Sequence, residues 1–172
     1  MIPRLRSLAF VTLSLVPALA GAQWRHLESL PQVQREGNTV TFAAAADSGR
    51  SEHVAISVLA PEVVRVRFSP TAFGRDHSDT VVDRQLGAQD FRFDTTAAGS
   101  VIATAALRVE VQAAPFRLVI KDAEGRVIHA DDPGRGMAHD GSAVRAWTTL
   151  RDTDNVYGFG EKNGAFNKRG WA

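Results

Sequence analysis

The sequence predicts an all-β chain folded as an antiparallel β-sandwich, and three observations carry that prediction. Nearly every patterned segment alternates apolar and polar residues with a period of two, as strands with one buried face do. The connections between them are short and carry Gly, Pro and Asp at the turn positions. No stretch keeps a helical apolar period over three turns, so the crossover helices of a parallel sheet have no place.

Strands are expected over 39–46, 53–60, 63–69, 90–95, 100–104, 107–112, 116–121, 126–130 and 143–150. In 63–69, Val64, Val66 and Phe68 share one face and Arg65 and Arg67 the other, so the core lies on one side only. Leu107, Val109 and Val111 repeat the pattern against Arg108, Glu110 and Gln112. Pro61 separates two strands because it donates nothing to a central ladder. Asp122-Ala123-Glu124-Gly125 reads as a hairpin connection with Gly available for a positive φ, and Asp47-Ser48-Gly49-Arg50 reads likewise. Residues 43–46 read as small side chains in a crowded or edge position. Residues 131–140, with Pro133, Gly134 and Gly136 among charges, read as a long exposed loop. Many short antiparallel strands at this spacing favour a sandwich.

Residues 1–22 read as a secretory signal peptide: Arg4 and Arg6, an apolar run over 8–20, then Ala20-Gly21-Ala22. The run is shorter than the ~20 residues of a spanning helix, so removal is expected and no membrane span remains. The expected address is periplasmic or extracellular. The mature chain, 23–172, is then one domain of 150 residues, too short for a (β/α)₈ barrel of roughly 250.

The whole sequence holds 20 basic and 19 acidic side chains. Without Arg4 and Arg6 the balance becomes 18 to 19, with the arginines spread singly along strands, which argues against nucleic-acid binding. Cysteine is absent, which excludes disulfides, zinc-thiolate sites, iron–sulfur clusters and a cysteine nucleophile.

Little in the residue types announces chemistry. His26, His53, His77, His129 and His139 are scattered and read as surface or loop histidines. Asp76, His77 and Asp79 are the nearest approach to a metal cluster, and a metal there is not expected. Ser51, Ser69, Ser78 and Ser142 lack the setting of a strained nucleophile, and no Gly-rich phosphate loop opens a helix. No cofactor is expected.

The stretch 156–170 is different. Gly158 and Gly160 flank Phe159 in a strand-like run, leaving one face without side chains, which allows a backbone or a bulky ring to approach closely; Glu161 follows, then the basic turn Asn167-Lys168-Arg169-Gly170. Glu161 reads as a structural anchor, and Tyr157 and Phe159 as core residues rather than sugar platforms. The segment resembles the Y-G-L-G-E-K…L-[DN]-[KR]-[KR]-G motif of glycoside hydrolase family 31, the α-glucosidase and α-xylosidase family. Phe159 stands for the usual leucine and Ala165-Phe166 for Pro-Leu. Upstream, 63–70 is similar to the family's early strand, and Pro115-Phe116-Arg117-Leu118 with Asp122, Gly125, Val127 and Ile128 to its central hairpin.

The resemblance implies a galactose-mutarotase-like sandwich, incomplete at its C-terminal end, that packs on a catalytic barrel absent from this chain. It implies retaining hydrolysis of α-glycosides in the full-length enzyme by two aspartates of that barrel, with carboxyls about 5 Å apart. Trp24, Trp147 and Trp171 do not match the family's W-x-D-M nucleophile pattern, so no catalytic residue transfers. Gly158, Gly160 and Glu161 match its structural motif, and Asn167, Lys168 and Arg169 the turn expected near substrate. The partners implied are an α-glycoside and the missing barrel. The fragment is expected to be inactive alone and to expose an apolar face and an unpaired edge. The competing readings are a free-standing secreted carbohydrate-binding module, and a mutarotase-type epimerase, which needs a histidine and a carboxylate across one face.

Overall fold

The computed structural model describes residues 23–76, 87–158, 160 and 163–170. The leader, His77, Ser78, Asp79, Phe159, Glu161, Lys162 and Trp171 lie outside them.

The described chain is built from β-strands: β1 (Arg25–His26), β2 (Gln32–Glu36), β3 (Thr39–Ala43), β4 (His53–Ala60), β5 (Val63–Ser69), β6 (Arg92–Thr96), β7 (Gly99–Ala103), β8 (Leu107–Ala113), β9 (Phe116–Asp122), β10 (Val127–Ala130), β11 (Met137–Asp140) and β12 (Ala143–Ala146). They form antiparallel sheets in the orders β2-β3-β4-β5, β10-β9-β8-β7-β6 and β1-β11-β12. The first two are meanders, joined by short turns except for the longer connection over 44–52 between β3 and β4. Pro61 and Glu62 make the β4–β5 turn. Gly125, at φ 82°, closes the β9–β10 hairpin, its N–H reaching Asp122 O at 3.0 Å.

The alternating faces meet in one core. Val40, Phe42, Val54, Ile56 and Val58 of the four-stranded sheet pack against Ile102, Val109, Val111, Phe116 and Leu118 of the five-stranded one. Phe42 and Phe116 touch edge to face across the interface at 5.7 Å. Both rings are fully buried, and truncating either to alanine would cost about 3 to 5 kcal/mol. The outward residues behave as the period predicts. Glu110 on β8 accepts from Lys121 and Arg108, and Arg65 and Arg67 on β5 both reach Asp76.

The chain between β1 and β2 closes one end of the sandwich. Leu27 and Leu30 are buried, Leu27 N donates to Met137 O at 2.9 Å, and Phe116 N donates to Glu28 O at 2.7 Å.

Residues 131–140 depart from the exposed loop that their Pro, Gly and charges suggest. Met137, Ala138 and His139 are buried in β11, between β1 and β12, and Asp131 is buried too. Only 132–136 make the turn, tied by Asp132 Oδ1, which accepts from the N–H groups of Gly134 and Arg135. The apolar content of β11 is too short to show a period, and it is buried by neighbours from distant sequence. β1 and β2 escape the alternation signal for a related reason: β1 is two residues long and every residue of β2 is exposed.

Candidate functional site

The C-terminal turn is the first candidate, and backbone docking positions it. Beyond β12, Trp147 N donates to Gly136 O, Thr149 N donates to Ala130 O at 2.9 Å, and Thr148 bridges Asp131. This lays the chain along the outer edge of β10. Arg151 then fastens it: one guanidinium N–H reaches Val127 O at 2.6 Å, and two others reach Asp154, whose carboxylate also accepts from Arg151 N at 2.8 Å. These donors, the Arg151 guanidinium foremost, hold the Asp154 carboxyl below the usual range.

Asn167 is the staple of the turn. Its side-chain oxygen accepts from Val156 N and Arg169 N, each at 3.0 Å, and its side-chain amide donates to Asn155 Oδ1 at 2.8 Å. Lys168 N donates to Val156 O at 2.7 Å. The Arg169 guanidinium donates to the carbonyls of Arg151 and Asp154. Of the residues that the motif singled out, Asn167, Lys168 and Arg169 are therefore brought together with 151–156, and Asn167 and Arg169 hold the turn in shape. Lys168 Nζ lies 3.5 Å from Asn163 O. Glu161 falls outside the described residues.

Two expectations for this segment change. Gly158 and Gly160 lie in no strand, and a Cβ on either would meet nothing within 4 Å. Their φ values of 96° and 69° are the reason for glycine: the backbone turns there through conformations that side chains disfavour. Tyr157 is no core residue. It is 53% exposed and leans on Phe166, 83% exposed, with ring centroids 4.9 Å apart. The alternation of a short aromatic run does not separate a buried face from an outward one once the strand itself is missing.

Sequence reasoning missed a second set of residues. Glu52 is 2% exposed, and its Oε1 accepts from Arg50 Nε at 3.0 Å and from His139 Nε2 at 3.3 Å. Arg50 also donates to His26 O and contacts Glu28 Oε2 at 3.2 Å, so it links the loop before β4 to the N-terminal segment. Burial is the largest influence on Glu52 and opposes its charge, but the donors of Arg50, its own backbone and His139 together outweigh it and hold the carboxyl below its ordinary value. A second pair joins His129 Nε2 to Asp131 Oδ1 at 3.2 Å, while Asp131 Oδ2 accepts from Leu118 N at 2.9 Å. Local spacing carries no signal for the first pair. The i, i+2 spacing of His129 and Asp131 was the one available hint of the second.

Neither pair is built for a sugar to sit between its members, because each histidine is bonded directly to its carboxylate. The geometry that an epimerase needs, acid and base facing each other across a gap, is not what these pairs provide. Asp76, the described member of the Asp76-His77-Asp79 run, is occupied by a bidentate Arg65 at 2.7 and 2.8 Å. Among the described residues no group of three His, Asp or Glu side chains is placed to hold a metal ion.

Residues 53–172 match the model of the glycosyl hydrolase 31 N-terminal galactose mutarotase-like domain. The chain belongs to glycosyl hydrolase family 31. Its sandwich is the N-terminal domain of that family, and its relatives are glycosidases and related enzymes. Alpha-glucosidase 2 of Bacillus thermoamyloliquefaciens is 29% identical over 110 residues, which cover 63% of this chain and 14% of that enzyme. The isomaltosyltransferase of Sporosarcina globispora is 26% identical over 164 residues, 86% of this chain and again 14% of the relative. A family 31 dextranase of Flavobacterium johnsoniae, solved with isomaltotriose and with glucose, superposes on 85% of this chain with a TM-score of 0.74 at 28% identity; this chain covers 18% of it. The family 31 α-xylosidase of Xanthomonas citri shares the fold, with a TM-score of 0.64 over 79% of this chain. This family 31 domain thus spans about one seventh of the length of the curated relatives it matches.

Proposed function

We propose that this chain is the N-terminal sandwich of an exported α-glycoside hydrolase, inactive without the catalytic barrel that follows it. The observation that carries the reading is the match of 53–172 to an N-terminal domain model, together with relatives of which this chain is only a small part. The side chains agree with it. The buried carboxylates Glu52 and Asp131 are committed to Arg50, His139, His129 and a backbone N–H, which leaves neither free to attack an anomeric carbon or protonate a leaving oxygen. The role left to the chain is structural: a rigid sandwich whose C-terminal turn, stapled by Asn167 and Arg169, leads toward the barrel and its substrate entrance. The leader at 1–22 supports export to the periplasm or beyond.

A direct assay tests this. The 172-residue chain should release no glucose from isomaltotriose or a chromogenic α-glucoside, whereas the polypeptide read through beyond Ala172 should. Robust turnover by the chain alone would overturn the proposal.

A second reading, a free-standing carbohydrate-binding module, is favoured by one observation, the exposed Tyr157–Phe166 pair. Aromatic rings with open faces suit the apolar face of a sugar. Calorimetric titration of the chain with isomaltotriose separates the two: saturable heat lost on Tyr157→Ala would favour the module.

A further inference from the structure

The chain holds four asparagines, Asn38, Asn155, Asn163 and Asn167, all within the described residues. Three are tied by their side chains. Asn38 donates to Gly87 O and accepts from Gln89 N, each at 2.9 Å. Asn155 accepts from Asn167 Nδ2 at 2.8 Å, and Asn167 also holds Val156 N and Arg169 N. Asn163 differs. Its side-chain amide has no partner among the described residues; only its backbone carbonyl is engaged, 3.5 Å from Lys168 Nζ. Asn163 alone is followed by glycine, whereas Thr39, Val156 and Lys168 follow the others. Residues 163–166 are all exposed and belong to no strand, and Gly164 N donates to no acceptor among the described residues.

From this conjunction we infer that Asn163-Gly164 is a site of spontaneous covalent modification, at which the chain's own backbone deamidates Asn163 to a mixture of isoaspartate and aspartate. Asparagine is a thermolabile residue, and its surroundings decide whether the chemistry proceeds. Gly164 N is the nucleophile, Asn163 Cγ the electrophile and water the second reactant. The nitrogen attacks Cγ, an N–Cγ bond forms, the Cγ–Nδ2 bond breaks, and the Gly164 amide proton leaves with the side-chain nitrogen as ammonia. The product is a cyclic succinimide. Water opening it at the Asn163 backbone carbonyl gives isoaspartate, whose chain runs through Cγ; opening at Cγ gives aspartate.

Glycine serves this step because, lacking a Cβ, it leaves its nitrogen unhindered and its backbone free to move toward Cγ. Gly164 already stands at φ 107°, a conformation that side chains disfavour. Asn163 breaks no side-chain hydrogen bond to reach the ring, whereas Asn155 and Asn167 would each have to give up theirs. Behind Asn155 the nitrogen is also doubly blocked: Val156 is β-branched, and its N–H is donated to Asn167. Either product places a carboxylate in the turn that carries Lys168 and Arg169, and isoaspartate lengthens the backbone there. The chain thus gains a negative charge with no enzyme involved, and the inference holds independently of the function proposed above.

The test is peptide mapping by mass spectrometry of the 172-residue chain aged in mildly alkaline buffer, with and without guanidinium chloride. Slow hydrogen exchange of the buried Ile56 amide marks the folded sample. In that sample the Asn163 peptide should acquire the mass of an acid in place of an amide, while the peptides of Asn38, Asn155 and Asn167 stay intact. The isoaspartate formed should accept a methyl group from S-adenosylmethionine through an isoaspartyl-specific methyltransferase. Because the site is open without unfolding, the folded chain should convert within about tenfold of the denatured rate. Asn163→Gln should remove the acidic species that accumulates on isoelectric focusing. Conversion in denaturant with none in the folded chain would overturn the inference, as would an acidic species that survives Asn163→Gln or equal conversion at Asn167. A chain whose Ile56 amide exchanges freely has no such turn and overturns it equally.

Discussion

His139 and Glu52 are 87 residues apart in sequence and meet at 3.3 Å inside the protein, on the carboxylate that Arg50 also holds. This contact fastens β11 to the loop before β4, and Arg50 extends the tie to the N-terminal segment through Glu28 and His26 O. The cluster is one of two buried carboxylate sites among the described residues, beside Asp131, and it makes the strand sequence alone an incomplete guide to stability.

Removing the cation should be more damaging than removing the pair. Arg50→Met leaves Glu52, 2% exposed, as a buried charge with only His139 beside it, and should destabilise the domain by about 3 to 5 kcal/mol. Arg50→Met combined with Glu52→Leu should recover much of that loss, because no uncompensated charge remains. Urea unfolding of the three proteins measures both values, and a double variant no better than the single one would contradict the account.

The same cluster sets an acid dependence. The Glu52 carboxyl lies below its ordinary value when folded and returns to that value on unfolding, so the unfolded chain binds the proton more readily. Its stabilising contribution is complete above the ordinary glutamate pKa of about 4.3 and is lost as pH falls through the lower folded value. Melting temperature should therefore drop below about pH 4, and Glu52→Gln should flatten that drop while lowering stability at neutral pH. An unchanged acid limb in the variant would assign the effect to the surface carboxylates, of which Glu110, held down by Lys121, and Asp154, held down by Arg151, share the direction.

Gly99 is required for space. A Cβ at this position would lie 2.1 Å from Val111 O on the neighbouring strand, a backbone atom that cannot swing aside. Gly99→Ala should cost about 1 to 3 kcal/mol, with exchange protection lost between β7 and β8. Gly158→Ala and Gly160→Ala meet no such contact, so their cost should come from the positive φ alone and stay local to the turn.

Asn167→Ala removes the acceptor of two backbone N–H groups and the donor to Asn155, and should free the amides of Val156 and Arg169 to exchange. At about 1 kcal/mol per bond the loss is confined to the turn, and the melting temperature of the sandwich should change little. In the full-length hydrolase proposed above, Arg169→Ala should alter the Michaelis constant or turnover if the turn lies beside substrate. Unchanged kinetics would leave Arg169 the purely structural role that its bonds to Arg151 O and Asp154 O already describe.

Phe166→Ser should be neutral to stability within about 0.5 kcal/mol, since the ring is 83% exposed, and should raise solubility. A large loss of stability on urea unfolding would mean that the Tyr157–Phe166 contact carries more of the turn than its exposure indicates.

The sequence by itself determined the strands and their faces. Alternation is a local signal, and Val64, Val66 and Phe68 point inward in β5 for the reason that their spacing announces. It also determined the family, through residues that recur in order from 63 to 170. Tertiary structure decided what was non-local. Met137, Ala138 and His139 look like loop residues until β1 and β12 flank them, and His139 meets Glu52 only because the fold closes a long separation. Tyr157 and Phe166 are exposed because the last turn docks by its backbone and by Asn167 rather than by its rings, and periodicity in so short a run carries no record of which atoms make the contact.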